Sequence, residues 1–223
     1  MRTRLLFSHL LLLVCALSSP VAYAQNDERK FEIGWQFTML ASPSRTANEV
    51  ILSEHRVKEA GYGPRFGYNL TKQLALESEF NFFTLDREVR GGSKTQGLFG
   101  VKAGQKFERF GVFGKARPGF VRFKRGDYVI ARGCVQVFPP PLSCYDSVAT
   151  TNFAFDLGGV VELYASEQLV VRIDVGDTMI RFRRRNVAAR DPSLPPGLRL
   201  FVFPLPAETR HNLQASVGFG FRF

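Results

Sequence analysis

The chain has 223 residues, including 22 phenylalanines and 20 glycines, and carries a formal net charge of +10 at pH 7. Beyond the N-terminal segment, no stretch offers the eighteen or so continuous apolar residues that a transmembrane helix needs. If the chain crosses a membrane, it must do so with strands.

The N-terminus has the features of a secretory signal peptide. Arg2 and Arg4 precede an apolar run over 5–17, and Ala22-Tyr23-Ala24 forms a small-x-small cleavage site. The residue pattern before Cys15 lacks the small residue that a lipidation site requires. We therefore expect residues 1–24 to be removed and residues 25–223 to form one exported domain. Export excludes nucleic acid as the partner behind the basic charge.

Eight segments of the exported part carry an apolar residue at every second position. This period predicts β-strands with one apolar and one polar face. The segments are 31–40, 60–70, 74–85, 95–107, 111–123, 152–164, 169–183 and 213–223. Two irregularities predict bulges: Pro118 has no amide donor, and the apolar phase changes near Met179 and Ile180.

The connections between these strands alternate in length. Short ones at 71–73, 108–110 and 165–168 alternate with long ones at 41–59, 86–94, 124–151 and 184–210. Outer-membrane barrels show this alternation, with short periplasmic turns and long outside loops. A soluble lipocalin-type barrel is the alternative, but it would place its apolar face inside. We therefore predict an all-β, eight-stranded antiparallel up-and-down transmembrane barrel in the bacterial outer membrane.

The final strand supports this prediction with a more specific pattern. It ends Val217-Gly218-Phe219-Gly220-Phe221-Arg222-Phe223, with the aromatic residues on one face. Together with the strand–turn–strand at 66–77, it resembles the small outer-membrane barrels of the OmpA transmembrane-domain and OmpX type. The resemblance implies that Phe219, Phe221 and Phe223 belong to the signal read by the barrel-assembly machinery. The chain ends at this strand, so we expect no cell-wall-binding domain after it.

The polar strand faces predict a charged barrel interior. An eight-stranded barrel is just wide enough to be filled by side chains. The predicted charge network comprises Glu32, Arg65, Glu77, Glu79, Lys102, Lys106, Lys115, Arg117, Asp156, Glu162, Arg172, Asp174 and Arg222. Paired charges of nearly equal number favour a structural plug, and a narrow low-conductance pore is the alternative.

The long loops carry the candidate interaction features. Cys134 and Cys144 lie in the third long loop, and an even pair in an exported loop predicts a disulfide. Apolar, proline-rich runs at 135–142 and 198–206 predict contact with an extracellular surface or matrix partner, or packing of the loops on each other. Basic residues near the third and fourth loops predict contact with outer-membrane lipids, including lipopolysaccharide, or with another anionic surface, and solvated loops without a particular ligand are the alternative.

Catalysis finds little support in the sequence. The exported part has only two histidines, His55 beside Ser53 and Glu54, and His211 at the start of the last strand. Neither forms a recognisable catalytic motif, and no metal-ligand cluster or cofactor motif occurs. We expect a structural or surface-interaction protein without a cofactor, and a lipid-A-modifying enzyme is a remote alternative.

Overall fold

The computed structural model describes residues 29–44, 55–84, 93–131, 145–190 and 200–223, all as strands and their connections. Eight strands close a single antiparallel barrel, and two shorter strands form a separate hairpin. The predicted signal peptide, Cys134 and Cys144 lie outside the described residues. Among the described residues, no helix is long and apolar enough to cross a membrane.

The barrel strands follow one another around the wall, except where the extra hairpin intervenes. The strands are β1 Phe31–Ser44, β2 His55–Asn69, β3 Leu74–Phe83, β4 Lys94–Lys106, β5 Phe110–Ile130, β6 Tyr145–Tyr164, β7 Leu169–Phe182, β8 Arg185–Arg190, β9 Leu200–Leu205 and β10 Glu208–Arg222. The barrel order is β1-β10-β7-β6-β5-β4-β3-β2, closed by pairing of β2 with β1. The predicted fold class is therefore confirmed.

Closure occurs where the two ends of the domain meet. Glu32 pairs with Arg222 and Ala41 with Leu213 along the β1–β10 ladder. Backbone bonds join Phe31 and Phe223 in both directions, at 3.1 and 3.0 Å. The last residue of the chain thus completes the ladder at the end that carries the short turns, which is the periplasmic end in such barrels.

Two predicted bulges are absent from the structure. The β5–β6 register runs without interruption through Pro118, which pairs with Phe155, and the shift lies instead between Phe123 and Asp127. The β7 register is constant on both sides through Met179 and Ile180. The change of phase in β7 has another cause, because Ile180 and Phe182 point into the barrel and are buried there. The inner face of the strand becomes apolar.

Three predicted long loops contain regular structure: within 41–59, β1 continues to Ser44 and β2 begins at His55. Within 124–151, β5 continues to Ile130 and β6 begins at Tyr145, so the two strands project as an extended hairpin. Within 184–210, β8 and β9 pair with each other, and β10 already begins at Glu208. We call residues 124–130 and 145–152 the hairpin extension. The strand pairing of the hairpin extension follows the register shift after Phe123 and is supported by the neighbouring strand β8, and it has no alternating apolar face that would reveal it in the sequence.

Candidate functional site

The barrel has its apolar side chains outside and its charged side chains inside, which is the reverse of a soluble protein. Large apolar side chains point outward and stay exposed, as in Phe37 at 61% and Phe219 at 55%. Many charged side chains of the strands, such as Arg117 and Glu79, point inward and are buried. An apolar outer belt with a polar interior is what a bilayer requires of a spanning barrel.

An aromatic cluster marks the periplasmic edge of this belt. The ring of Phe31 lies 5.0 Å from that of Tyr68 and 6.0 Å from that of Phe223. At the turn between β4 and β5, the rings of Phe107 and Phe110 stack with their centroids 4.6 Å apart. Aromatic girdles of this kind lie at the membrane–water interface of outer-membrane barrels.

The interior contains a charge network that is neutral as a whole. Of the thirteen predicted members, twelve are buried, and these comprise six cations and six carboxylates. The cations are Arg65, Lys102, Lys115, Arg117, Arg172 and Arg222, and the carboxylates are Glu32, Glu77, Glu79, Asp156, Glu162 and Asp174. The exception is Lys106, which is exposed at the end of β4 and lies 5.4 Å from the Tyr164 ring centroid. The buried core of the network is therefore charge-balanced.

Arg117 occupies the centre of the network. Its Nη1 donates to Glu79 at 2.5 Å, while Nε and Nη2 donate to one oxygen of Asp156 at 2.9 and 2.7 Å. The side chain is completely buried. Lys115 completes the pairing of Asp156 at 2.8 Å and also binds Asp174. Charges buried in this way are tolerated because each has a partner.

A second group of pairs lies towards the periplasmic end. Arg222 donates to Glu32 at 2.8 Å and to Glu162 at 2.7 Å, so it bridges carboxylates on β1 and β6. Arg65 binds the other oxygen of Glu32 at 2.6 Å. Lys102 binds Glu162 and lies 3.2 Å from Glu77. The bonds from Arg222 and Lys102 to Glu162 each span one intervening strand of the wall, and those to Glu32 join neighbouring strands.

Glycines on the inner face make room for these long side chains. A Cβ atom at Gly220 would lie 2.8 Å from an oxygen of Glu32 and 3.0 Å from a nitrogen of Arg65. One at Gly176 would lie 3.0 Å from an oxygen of Asp156. The sequence shows the glycines, but their link to the charge network becomes visible only in three dimensions.

Amide and hydroxyl side chains extend the network beyond the charges. Asn81 donates to Glu79 at 2.6 Å and to Gln96 at 2.8 Å, and Gln96 donates to Gln214 at 3.0 Å. Thr178 donates to the same oxygen of Gln214 at 2.9 Å. These neutral groups join β3, β4, β10 and β7 across the lumen. Sequence reasoning placed Asn81 and Gln214 on polar faces without assigning them a role.

An apolar cluster, which sequence reasoning missed, fills the lumen next to these polar groups. It consists of Leu98, Val121, Ala154, Ile180 and Phe182, with Phe123 packed against it. On β5, β6 and β7 these residues lie one or two inward positions closer to the extracellular end than Arg117, Asp156 and Thr178. We call this set the apolar plug. The sequence signal for it is the apolar change of phase in β7, from which we predicted a bulge.

The described residues form a cavity at one end of the lumen and a charged cluster at the other. At the periplasmic end, a vestibule of about 1020 Å³ reaches inward to Lys102, Glu162 and Arg222. At the extracellular end, Arg185 and Arg210 lie over the ring of Phe182, with centroid distances of 4.0 and 5.4 Å. Partial burial alone would raise the pKa of the adjacent Glu208, but these two guanidinium groups hold it below its ordinary value.

The two histidines of the exported part lie on β2 and β10. His55 begins β2 opposite Ser44, and Ser53 and Glu54 lie outside the described residues. His211 points out of the barrel, where its Nδ1 lies 2.6 Å from an oxygen of Asp177. Within the described ranges, no group of three metal-binding side chains is present.

No protein-family model matches the chain, and no curated protein matches its sequence. Solved structures resemble it at low identity. Neisserial surface protein A (NspA) is 12% identical, with a TM-score of 0.46 over 86% of this chain and 97% of that chain. OprH from P. aeruginosa in micelles is 14% identical, with a TM-score of 0.45 over 87% and 99%. AlkL in lipid bilayers is 11% identical, with a TM-score of 0.44 over 92% and 95%.

Similarity at this level transfers no function, and the assignment depends on the chain's own surfaces. A closed antiparallel barrel with an apolar outer belt, an aromatic edge and a buried charged interior is suited to a membrane that accepts strands. Barrels of this kind are found in outer membranes. The protein is a small eight-stranded β-barrel with the surfaces of an outer-membrane protein.

Proposed function

We propose that this barrel is a closed anchor that presents its extracellular hairpin extension and loops to a partner outside the cell. The observation that carries the proposal is the filling of the lumen, which combines a neutral ion-pair network with the apolar plug. A lumen filled in this way supports a structural plug over a narrow pore. The parts left to act are then those outside the membrane.

The hairpin extension supports an interaction role. Along 145–152, β6 pairs with β5 alone, because its pairing with β7 begins only at Phe153. The opposite edge of the extension is held by β8, where Asn186 donates its backbone amide to Asp127 at 2.7 Å and its side chain to the Tyr128 carbonyl at 2.9 Å. Among the described residues, the β6 edge therefore has backbone groups without a strand partner, and such edges accept strands from other proteins.

Exposed apolar side chains lie on the same extension. Val129 and Ile130 are 41% and 50% exposed at the end of β5, outside the apolar belt. In the sequence they precede the proline-rich run at 135–142, from which residues 131–134 separate them. Apolar groups that project into water favour contact with a partner. We propose an extracellular surface or matrix protein as that partner.

Lipid contact and assembly are further parts of the proposal. Arg122, Lys124 and Arg181 are exposed near the extracellular end of β5 and β7, where lipopolysaccharide phosphates would lie. Phe219, Phe221 and Phe223 face the bilayer on the closing strand, where the barrel-assembly machinery would read them. Neither role requires an open lumen or a catalytic group.

A deletion of the hairpin extension tests the proposed function. Replacing 124–149 by Asn-Gly keeps the Phe123–Thr150 pair and supplies a short hairpin turn. We expect the barrel to assemble normally and to run at different gel mobilities before and after boiling, while cells lose adhesion to host or matrix proteins. The matched control replaces Cys134 and Cys144 by serine within the same hairpin. Undiminished adhesion by the deletion variant would contradict the proposal.

A further inference from the structure

The extracellular mouth of the barrel contains two arginines that lie inside the wall. Arg210 shares the inward face of β10 with Asn212 and Gln214, and Arg185 follows the inward-pointing Phe182 after a two-residue connection. Both guanidinium groups lie over the Phe182 ring at the top of the apolar plug. A ligand reaching them must come from extracellular water, because the barrel wall separates them from lipid.

Glu208 pairs with both arginines. Arg185 Nη2 donates to Glu208 Oε1 at 3.0 Å, and Arg210 Nη2 approaches the same oxygen at 2.7 Å. The other carboxylate near Arg185 is Asp127, whose Oδ1 accepts the backbone amides of Tyr128 and Asn186 at 2.8 and 2.7 Å. Glu208 is therefore the only carboxylate within hydrogen-bond reach of Arg185 among the described residues.

Arg185 has an unused donor. Its side chain is 10% exposed, and its Nη1 atom is buried without a hydrogen-bond acceptor in the described part of the chain. Burial and the neighbouring Arg210 both lower the pKa of Arg185, against the opposing effect of Glu208. A buried guanidinium N–H group without a hydrogen-bond acceptor costs free energy, and an anionic oxygen is the acceptor that binds it most strongly.

We propose that this cluster binds one oxyanion group, a phosphate or sulfate, on a molecule that enters from the extracellular side. Arg185 Nη1 supplies the direct hydrogen bond, Arg210 supplies the second positive charge, and the Phe182 ring forms an apolar floor that strengthens the attraction. This inference adds a ligand chemistry to the proposed surface role. It rests on the proposed function in one respect only, namely that the ligand approaches from the extracellular side.

A titration of the purified protein in detergent micelles tests the site directly. The probes are inorganic phosphate and inorganic sulfate, and the readout is the side-chain Nε–Hε signal of Arg185 in NMR spectra. We expect a saturable shift of that signal. Arg185→Gln should weaken the response of the remaining Arg210 signal roughly 10- to 100-fold, the loss expected for one hydrogen bond between charged groups. The matched control is Arg125→Gln on the exposed hairpin extension, which should leave binding unchanged.

Glu208→Gln separates this proposal from a purely structural ion pair. The substitution removes the negative charge that competes with the ligand, so phosphate and sulfate should bind more tightly than to the unaltered protein. A cluster that only stabilises the fold would lose stability and gain no affinity. The difference in gel mobility before and after boiling shows that each variant has folded.

Two further arms identify the source of the anion. A soluble sulfated oligosaccharide should compete with phosphate for Arg185, whereas lipopolysaccharide added to the micelles should shift signals of the outward-facing Arg122 and Arg181 and leave Arg185 unmoved. The proposal is overturned if the Arg185 signal does not saturate with phosphate or sulfate, or if Glu208→Gln weakens binding. The titration uses no adhesion assay, so its failure is distinguishable from a failure of the proposed function.

Discussion

Arg117 shows how one residue supports the whole lumen. It is fully buried, and three of its nitrogens bind carboxylates from β3 and β6. Removing it leaves Glu79 and Asp156 buried with a partner missing. The cost of an unpaired buried charge exceeds the net benefit of the pair itself, because the desolvation has already occurred.

We therefore predict that Arg117→Met lowers the free energy of unfolding by about 3–5 kcal/mol. The measurement is the folded fraction across a urea series, followed by the difference in gel mobility before and after boiling. Arg122→Gln is the control, because Arg122 lies on the same strand but points outward and is exposed. Equal losses of unfolding free energy in the two variants would show that the buried network stabilises the barrel no more than an exposed charge does.

At the scale of the element, the closing strand depends on its last residue. Phe223 exchanges two backbone bonds with Phe31 and stacks near its ring. Deleting Phe223 removes these bonds as well as the proposed assembly signal, so the amount of assembled barrel in outer-membrane fractions should fall. Phe223→Tyr keeps the backbone and an aromatic ring and should assemble normally. An unchanged yield from the deletion would contradict a role for the terminal residue in assembly.

The hairpin extension carries a prediction that the described residues leave untested. Ile130 pairs with Tyr145, so the two strands converge on the segment that contains Cys134 and Cys144. We predict that these cysteines form a disulfide, worth about 2–3 kcal/mol by the chain-entropy model for a ring of this size. Peptide mapping without reductant should recover the two joined peptides. Free thiols at both positions in exported protein would show that the loop is closed in another way.

The strands were predictable from the sequence within the bilayer, where the outward side chains must be apolar. All eight barrel strands occur close to the predicted segments, because alternating residues such as Phe31, Ile33 and Trp35 must face the bilayer. Outside the bilayer this selection ends. The hairpin extension, β8 and β9 were missed for that reason, since their pairing depends on neighbouring strands.

The sequence predicted which charged side chains face inward, but it did not predict which of them bind each other. The alternation assigned Arg117 and Asp156 to the interior, but partners on β3, β5 and β6 are set by the stagger of the closed barrel. Lys106 shares the face of Lys102 and still lies outside the buried network, because it stands at the strand end, where the lumen opens into the vestibule. Periodicity gives the face of a residue and not its depth.

At the scale of the whole molecule, two barriers to ions lie in series along the lumen. The charge network crosses from wall to wall, since Arg172 on β7 donates to Glu77 on β3 at 2.9 Å, and the apolar plug around Phe182 follows towards the extracellular end. An ion would have to break paired bonds at the first barrier and enter a dry region at the second. The periplasmic vestibule therefore ends blindly at Lys102, Glu162 and Arg222.

We predict that the purified barrel in planar lipid bilayers shows no stable channels, and that opening one barrier alone does not create them. Phe182→Ala and Val121→Ala together thin the apolar plug but leave Arg117 bound to Glu79 and Asp156, so the membrane should remain tight. Adding Arg117→Ser removes the central bridge as well, and only this triple variant should conduct, provided that its boiled and unboiled mobilities still differ. Steady conductance in the unaltered protein, changing with Glu77 or Lys102, would favour the pore and contradict the closed anchor, because it would require the buried pairs to open while the barrel stays folded.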